Sequence, residues 1–336
     1  MYETFFRLSA NPFQLNPDPA LYFDSKGHRK AAAYLRYGAM QGEGFILMTG
    51  EIGAGKTTLI RALLRMVDPN EVIAAQLVST QLDAEDLLRA VATAFDLKVG
   101  DTSKAALLGV IEGFLTTLSR QRRRALLVVD EAQNLTARAM EELRMLSNFQ
   151  IGERPMLQSF LVGQPELRSM MRDPSMQQLR QRIIATCHLG PLEAEETQLY
   201  IEHRLRMVGW AGDPAIDAPV FAAVHESAGG IPRRINALCG RLLLGAYLSR
   251  VHEIRLEDAV AAINEMRDEG GPDTSPAPAA RPAERSSDLA RPMMASSVIA
   301  RLDRLERTVN TILEIVRAQA PGDRRRFSDL PRKGRS

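Results

Sequence analysis

The run Phe45 to Thr58, FILMTGEIGAGKTT, passes from an apolar strand pattern into a glycine-rich turn and then into a helix pattern. Few folds accommodate that succession. From Gly50 to Thr57 it satisfies G-x-x-x-x-G-K-[ST]. Small residues let successive backbone N–H groups curl round a phosphate with no Cβ in the way, and the helix expected over Thr57 to Val67 points its N-terminal dipole at the same anion. The pattern assigns Gly50, Glu51, Ile52, Gly53, Ala54, Gly55, Lys56, Thr57 and Thr58 to a nucleotide's phosphates. Lys56 would reach the β- and γ-phosphates, and the Thr57 hydroxyl would ligate Mg²⁺. A chance match to the pattern alone arises in on the order of one chain in a hundred of this length. Chance does not also supply a strand before it and a helix after it.

The 336 residues suggest about two domains and a tail. With 43 Lys+Arg against 41 Asp+Glu, the whole-chain charge carries no signal for nucleic acid. Two cysteines, Cys187 and Cys239, make no disulfide framework and read as buried thiols of a reducing compartment. No apolar run approaches the roughly 18 residues that span a bilayer, and the start lacks the pattern of a signal peptide. The expectation is a cytoplasmic protein.

Residues 1–41 read as an arm and a helix. Tyr2, Phe5, Phe6 and Phe13 alternate with Pro12, Pro17 and Pro19 without helical period, as in an irregular segment laid over a globular body. It either packs only or covers the adenine side of a nucleotide. A helix is expected from His28 to Gln41. Beyond the glycine-rich loop, strand and helix patterns alternate, which argues for a parallel sheet covered on both faces. Glu71 to Leu77 reads as a strand, Asp83 to Phe95 as a helix capped by Asp83, and Lys104 to Ser119 as another helix. Ala125 to Asp130 is a continuous apolar strand ending in Asp130-Glu131, two acids where a ligand meets a sheet's carboxyl edge. Taken alone, such an ending is often no more than a solvated strand end; about seventy residues after Lys56, with a βα pattern between, it reads as the second nucleotide motif, in which Asp130 would hold the metal through its water shell and Glu131 would orient the attacking water.

Thr136 caps a helix running to about Phe149, and Met156 to Val162 is a further buried strand, followed by Gly163-Gln164-Pro165. Gln164 is a candidate γ-phosphate sensor, or else a turn residue that caps the next helix. Arg180-Gln181-Arg182 precedes the strand Ile183 to Leu189. An arginine there would reach a nucleotide on a neighbouring subunit, or form a surface salt bridge. From Glu193 the strands stop, and helices are expected over Glu193 to Met207, Pro219 to Ser227, Pro232 to Arg250 and Leu256 to Met266. In Gly229-Gly230-Ile231-Pro232-Arg233 the glycines end one helix and Pro232 begins the next, placing Arg233 in its first turn, within reach of the γ-phosphate.

Together, Gly50–Thr57, Asp130-Glu131-Ala132-Gln133, Leu179-Arg180-Gln181-Arg182 and Gly230-Ile231-Pro232-Arg233 resemble an AAA+ ATPase. With Asn11-Pro12-Phe13, Gly42-Glu43-Gly44-Phe45 and Leu161 to Leu167, the pattern is similar to the ExeA-type secretion ATPases over roughly residues 1–267. Within these, it is most similar to the branch associated with exosortase and exopolysaccharide loci of Gram-negative bacteria. The resemblance implies an α/β P-loop AAA+ core over 42–190 with sheet order 5-1-4-3-2 and an α-helical lid over 191–267. It implies ATP and Mg²⁺ as ligands, Thr57 and Asp130 on the metal, and Lys56, Asp130, Glu131, Gln164, Arg182 and Arg233 as catalytic residues. Arg182, or else Arg180, is the arginine acting in trans. The larger members continue into a membrane span and a peptidoglycan-binding region, neither of which is found in this sequence, so an envelope role goes through a partner, with the protein peripheral at the inner membrane.

Residues 268–297, rich in Pro, Ala, Ser and Gly, read as a disordered linker. Val298, Leu302, Leu305, Val309, Ile312 and Val316 then set an apolar seam on a coiled-coil helix over 298–319. So short a helix needs a partner. Self-association into a homo-oligomer is the first reading, and docking on another protein, on an envelope assembly or on the ATPase body is the second. The tail 320–336 carries Arg324, Arg325, Arg326, Arg332, Lys333 and Arg335, a solvated run or a contact for anionic lipid, polysaccharide or nucleic acid. The sequence thus reads as an ATP-hydrolysing motor or switch of an envelope secretion system. The alternatives are a DNA-associated helper of the transposition type and a nucleotide-gated adaptor with little turnover.

Overall fold

The computed structural model describes residues 1–269 except 17, 79, 80, 101, 102 and 153. All of these belong to a unit spanning Met1–Ala277, and the second unit, Pro278–Ser336, lies outside them. The expected coiled-coil helix, the basic tail and all but the first two residues of the linker therefore fall outside the described residues.

Five strands, β1 (Phe45–Gly50), β2 (Val72–Val78), β3 (Arg124–Asp130), β4 (Leu157–Gly163) and β5 (Ile183–Leu189), form one parallel sheet. Their order, β2-β3-β4-β1-β5, is the expected 5-1-4-3-2. The inner strands are buried on both faces, which is why they read as unbroken apolar runs. Side chains alternate between the faces. Phe45, Leu47, Leu127, Val129 and Leu161 point to one, and Ile46, Met48, Leu126, Val128, Phe160 and Val162 to the other.

Two helices, α1 (Lys26–Gln41) and α2 (Lys56–Met66), cover the second face through Ala31, Leu35, Leu59, Ile60 and Leu63. The first face is covered by α3 (Ala84–Ala94), α4 (Lys104–Arg120) and α5 (Ala137–Leu146). Side-chain oxygens of Ser25, Asp83, Ser103 and Thr136 cap α1, α3, α4 and α5. The α5 helix stops short of Phe149: Ser147 Oγ donates back to the Arg144 carbonyl at 2.6 Å, and Phe149 packs on the core. A short ribbon of Gln150–Ile151 with Arg154–Pro155 follows.

The lid comprises α6 (Ala194–Met207), α7 (Ala218–Ala228), α8 (Pro232–Leu248) and α9 (Leu256–Glu269). Contrary to expectation, strand pairing does not end at Glu193. Ala215–Ile216 pairs with Glu253–Ile254, closing the turns between helices by backbone bonds. The last helix runs through Asp268 and Glu269, the first two residues of the expected linker, and Glu269 pairs with Arg241 at 2.5 Å.

The amino-terminal arm belongs to the lid's core. It contains a short α-helix, Tyr2–Phe5, and a 3₁₀ turn, Pro19–Leu21, where irregular chain is expected. Phe6, Leu8, Phe13 and Leu21 are buried with Leu205, Val224, Ile235 and Leu243 of the lid. Buried Arg204 donates from Nε to the Pro12 carbonyl at 2.5 Å and from Nη2 to the Gln14 carbonyl at 3.3 Å. Phe6 and Phe13 of the arm thus pack in the lid's core.

Candidate nucleotide site

β1, β3 and β4 end side by side at Gly50, Asp130 and Gly163, so their trailing loops converge at the sheet's carboxyl edge. Lys56 opens α2 and is buried, its Nζ donating to the carbonyls of Gly50 at 2.7 Å and Glu51 at 3.0 Å. Burial holds its ammonium below the usual lysine range, against the pull of Glu131, Asp130, Glu51 and Glu166. Thr57 Oγ1 donates to Asp130 Oδ2 at 3.0 Å. A hydroxyl and a carboxylate oxygen meeting there are the hard donors that Mg²⁺ takes beside phosphate, so these residues fit the ion.

Glu131 follows Asp130 with φ +53°, a left-handed conformation uncommon for a residue with a Cβ. Three groups fix its carboxylate and its neighbours. Gln133 Nε2 donates to Glu131 Oε2 at 2.7 Å, and Gln164 Nε2 donates to the same oxygen at 3.1 Å. The Gln164 N–H donates to Gln133 Oε1 at 3.0 Å, closing the triangle. Burial raises the Glu131 pKa, but the two amide hydrogen bonds and the charge of Lys56 outweigh it and hold the carboxyl below the ordinary range. Gln164 also occupies the N-cap position of the Pro165–Met170 helix, with no side-chain capping bond. Its side chain goes to Glu131 instead.

On the lid side, the Arg233 N–H donates to the Gly53 carbonyl at 3.2 Å. Gly53 has φ +83°, and a Cβ there would run into Arg233 Cβ. The start of α8 therefore rests on the loop's backbone, leaving the Arg233 side chain exposed beside it. Behind the loop, buried His28 holds Nδ1 at 2.7 Å from Ser25 Oγ. Gly55, at φ +99°, lies so near that an added Cβ would come within 2.7 Å of His28 Nε2. Burial lowers the imidazole pKa against the charges of Asp24 and Glu196.

Lys56, Thr57, Asp130, Glu131, Gln164 and Arg233 are thus gathered about one loop. The two candidate trans arginines are not. The Arg182 carbonyl accepts from Phe45 N–H at 2.9 Å, at the amino end of β1, and its guanidinium donates to the carbonyl and hydroxyl of Ser147. Arg180 is exposed and donates to the Met171 carbonyl at 2.7 Å. Gln133 and His28 carry no role in the sequence reading. Gln133 follows Glu131 in the strand-end motif, a pointer without a chemical signal, and His28 lies far before Lys56 with no spacing that links them.

Residues 39–171 match the family described as AAA domain. General secretion pathway protein A of Aeromonas hydrophila is 38% identical over 274 residues, covering 80% of this chain and 50% of that protein. The chain thus spans half the length of this curated relative. Among solved structures, the ORC2 protein of Aeropyrum pernix, determined as ADPNP-ADP complexes, superposes with a TM-score of 0.59 at 16% identity over 76% of this chain and 72% of that one. Cdc6p from Pyrobaculum aerophilum gives 0.58 at 15% identity over 78% and 70%. These two share the fold. Residues 39–171 therefore match an AAA domain, on a fold shared with these solved structures, in a chain similar in sequence to General secretion pathway protein A.

Proposed function

We propose that the protein is an ATP-hydrolysing motor or switch of an envelope secretion system, in which nucleotide state sets the angle between sheet and lid. The observation that carries this reading is the Glu131 carboxylate, kept ionised and aimed by Gln133 and Gln164 beside the Thr57–Asp130 pair. On this reading Glu131 orients a water in line with the γ-phosphate and takes its proton. The Lys56 ammonium and the loop's N–H groups hold the phosphates, and Arg233 meets the charge developing on the transferred group. Mg²⁺, when bound through Thr57 and Asp130, would neutralise charge on the phosphate oxygens. An arginine of a second copy, Arg182 or Arg180, completes the site in a homo-oligomer.

The secretion context is supported by the relative's name and by the arm and Gly163-Gln164-Pro165-Glu166 motifs. Assignment to exopolysaccharide export linked to exosortase rests on the sequence resemblance. The test is steady-state ATP hydrolysis by the wild type and Glu131→Gln across protein concentrations, with and without DNA. Turnover that rises with concentration, collapses in the variant and ignores DNA supports the proposal. Tight ATP binding without turnover would replace the motor by an adaptor, and DNA-stimulated turnover would replace it by a DNA-associated helper.

A further inference from the structure

The helices α1 and α2 lie side by side on the second face of the sheet, and neither contains an aspartate or a glutamate. Their cations are Lys26, Arg29, Lys30 and Arg36 on α1, and Lys56, Arg61 and Arg65 on α2. Lys56 belongs to the phosphate loop, Lys26 pairs with Glu193, and Arg29 lies 3.9 Å from Asp24. Lys30, Arg36 and Arg65 are exposed, and none of the three forms an ion pair among the described residues. Acids near the helix ends, Asp24, Glu43, Asp68 and Glu71, are confined to the flanking loops, and Glu193, Glu195 and Glu196 border only the amino end of α1 at Lys26. For a chain whose charges nearly cancel, this is a strongly one-sided face.

The same face exposes large apolar groups. With Ala31, Ala32, Leu35 and Gly38 turned to the sheet, helical spacing puts Lys30, Ala33, Tyr37 and Met40 along the opposite line, flanked by Tyr34 and Arg36. Met40 is 79% exposed and Tyr37 55%; Met66, at the end of α2, is 64%. The two helix ends are neighbours, since Ala39, Gly42 and Val67 line one small cavity beneath them with Arg124.

We propose that this face seats the protein on an anionic lipid surface, with α1 and α2 lying in the headgroup plane. The charge sign selects an anionic partner, and the exposed side chains select its kind. Tyrosine and methionine among snorkelling lysine and arginine suit the boundary between headgroups and acyl chains. Single-stranded nucleic acid would share the cations, but it calls for aromatic platforms in a groove, whereas here two helix ridges end in flexible thioether tips.

The test uses the full chain carrying Met40→Cys, coupled to a dye that shifts blue on leaving water. Cys187 and Cys239 are both buried, so the introduced thiol is the accessible one. Vesicles of equal parts phosphatidylglycerol and phosphatidylcholine should shift the dye, and pure phosphatidylcholine should not. A dye on Glu112→Cys, on α4 of the opposite face, should not respond. Reversing the charges with Lys30→Glu, Arg36→Glu and Arg65→Glu should lower vesicle partition roughly a hundredfold. Tyr37→Glu serves the same purpose if the triple variant does not fold.

Cosedimentation with vesicles without a shift at residue 40 would overturn the proposal, placing attachment elsewhere on the chain. A shift at both dyes would do so too. A shift with single-stranded DNA but not with vesicles would reassign the face to nucleic acid. A shift that grows with protein concentration in the absence of vesicles would make it a contact between copies.

Discussion

The carbonyl of Gly53, in the middle of the phosphate loop, accepts a 3.2 Å hydrogen bond from the backbone N–H of Arg233, the second residue of α8. The lid therefore touches the loop through main chain, and any movement of the loop on nucleotide binding is felt at the start of α8. Gly53→Ala would place a methyl group at φ +83° against Arg233 Cβ. The backbone conformation alone costs about 1–2 kcal/mol, and the collision drives α8 off the loop. Faster amide exchange at Arg233 and weaker ATP binding are the expected outcomes. Arg233→Ala keeps the backbone bond, so exchange stays slow while turnover falls by about 10²–10³-fold. Equal exchange in the two variants would show that the contact does not hold the lid.

The pH dependence of turnover follows from the bonds on Glu131. Its carboxyl is held below the ordinary value of 4.5 because two amide bonds and Lys56 outweigh burial. A carboxylate with a lowered folded pKa stabilises the fold above the unfolded pKa, and that contribution is lost as pH falls through the folded value. With Gln164→Leu, one of the opposing bonds is gone and the pKa rises. The acid limb of the kcat/KM profile should then move to higher pH, and Gln133→Leu should move it the same way. Glu131→Gln should lower kcat by about 10²–10⁴-fold with no acid limb of this origin. A profile unchanged in both glutamine variants would remove Glu131 as the titrating base.

What could be read in the sequence was what a local pattern dictates. The apolar runs of β1, β3 and β4 leave no choice but strands buried on both faces, and the loop between Gly50 and Thr57 admits one backbone path. The cap residues Asp83 and Thr136 set their helix starts because their side chains bond the next free N–H groups. Contacts between distant segments were not legible. His28 meets Gly55 only because α1 returns past the loop, and the arm lies on the lid through contacts such as those of Arg204 with Pro12 and Gln14, some 190 residues away in sequence. The Ala215–Ile216 ribbon is too short to show a strand period.

The two candidate trans arginines should separate by stability. Arg182 bonds both the carbonyl and the hydroxyl of Ser147 at the end of α5, so it must release them to reach another subunit. Arg182→Ala leaves those groups short of a charged donor, which costs about 1.5–3 kcal/mol. Arg180, exposed with a single bond to Met171, can leave at less cost. Melting should therefore fall for Arg182→Ala and hold for Arg180→Ala. If one of them acts in trans, its removal lowers turnover by about 10³–10⁵-fold at high protein concentration. Adding the turnover-deficient Glu131→Gln chain, which retains its arginines, should restore part of that loss. Failure of both rescues would exclude an arginine donated from this segment.

Arg204 tests whether the arm is a structural part of the lid. Its guanidinium is buried without a carboxylate partner among the described residues, and its donors go to the Pro12 and Gln14 carbonyls and to the Tyr200 hydroxyl, with the charge 5.7 Å from the Tyr200 ring. Arg204→Met fills much of the space but leaves two arm carbonyls without their donor, and loss of bonds to a charged group costs about 1.5–3 kcal/mol each. The apolar anchors Phe6 and Phe13 remain, so the arm should loosen before the lid unfolds. Limited trypsin digestion should cut after Arg7 well before global melting, with the sheet's melting unchanged. If cleavage at Arg7 and melting of the whole chain instead shift together, arm and lid form one cooperative unit with the sheet. If neither shifts, the buried guanidinium does not hold the arm.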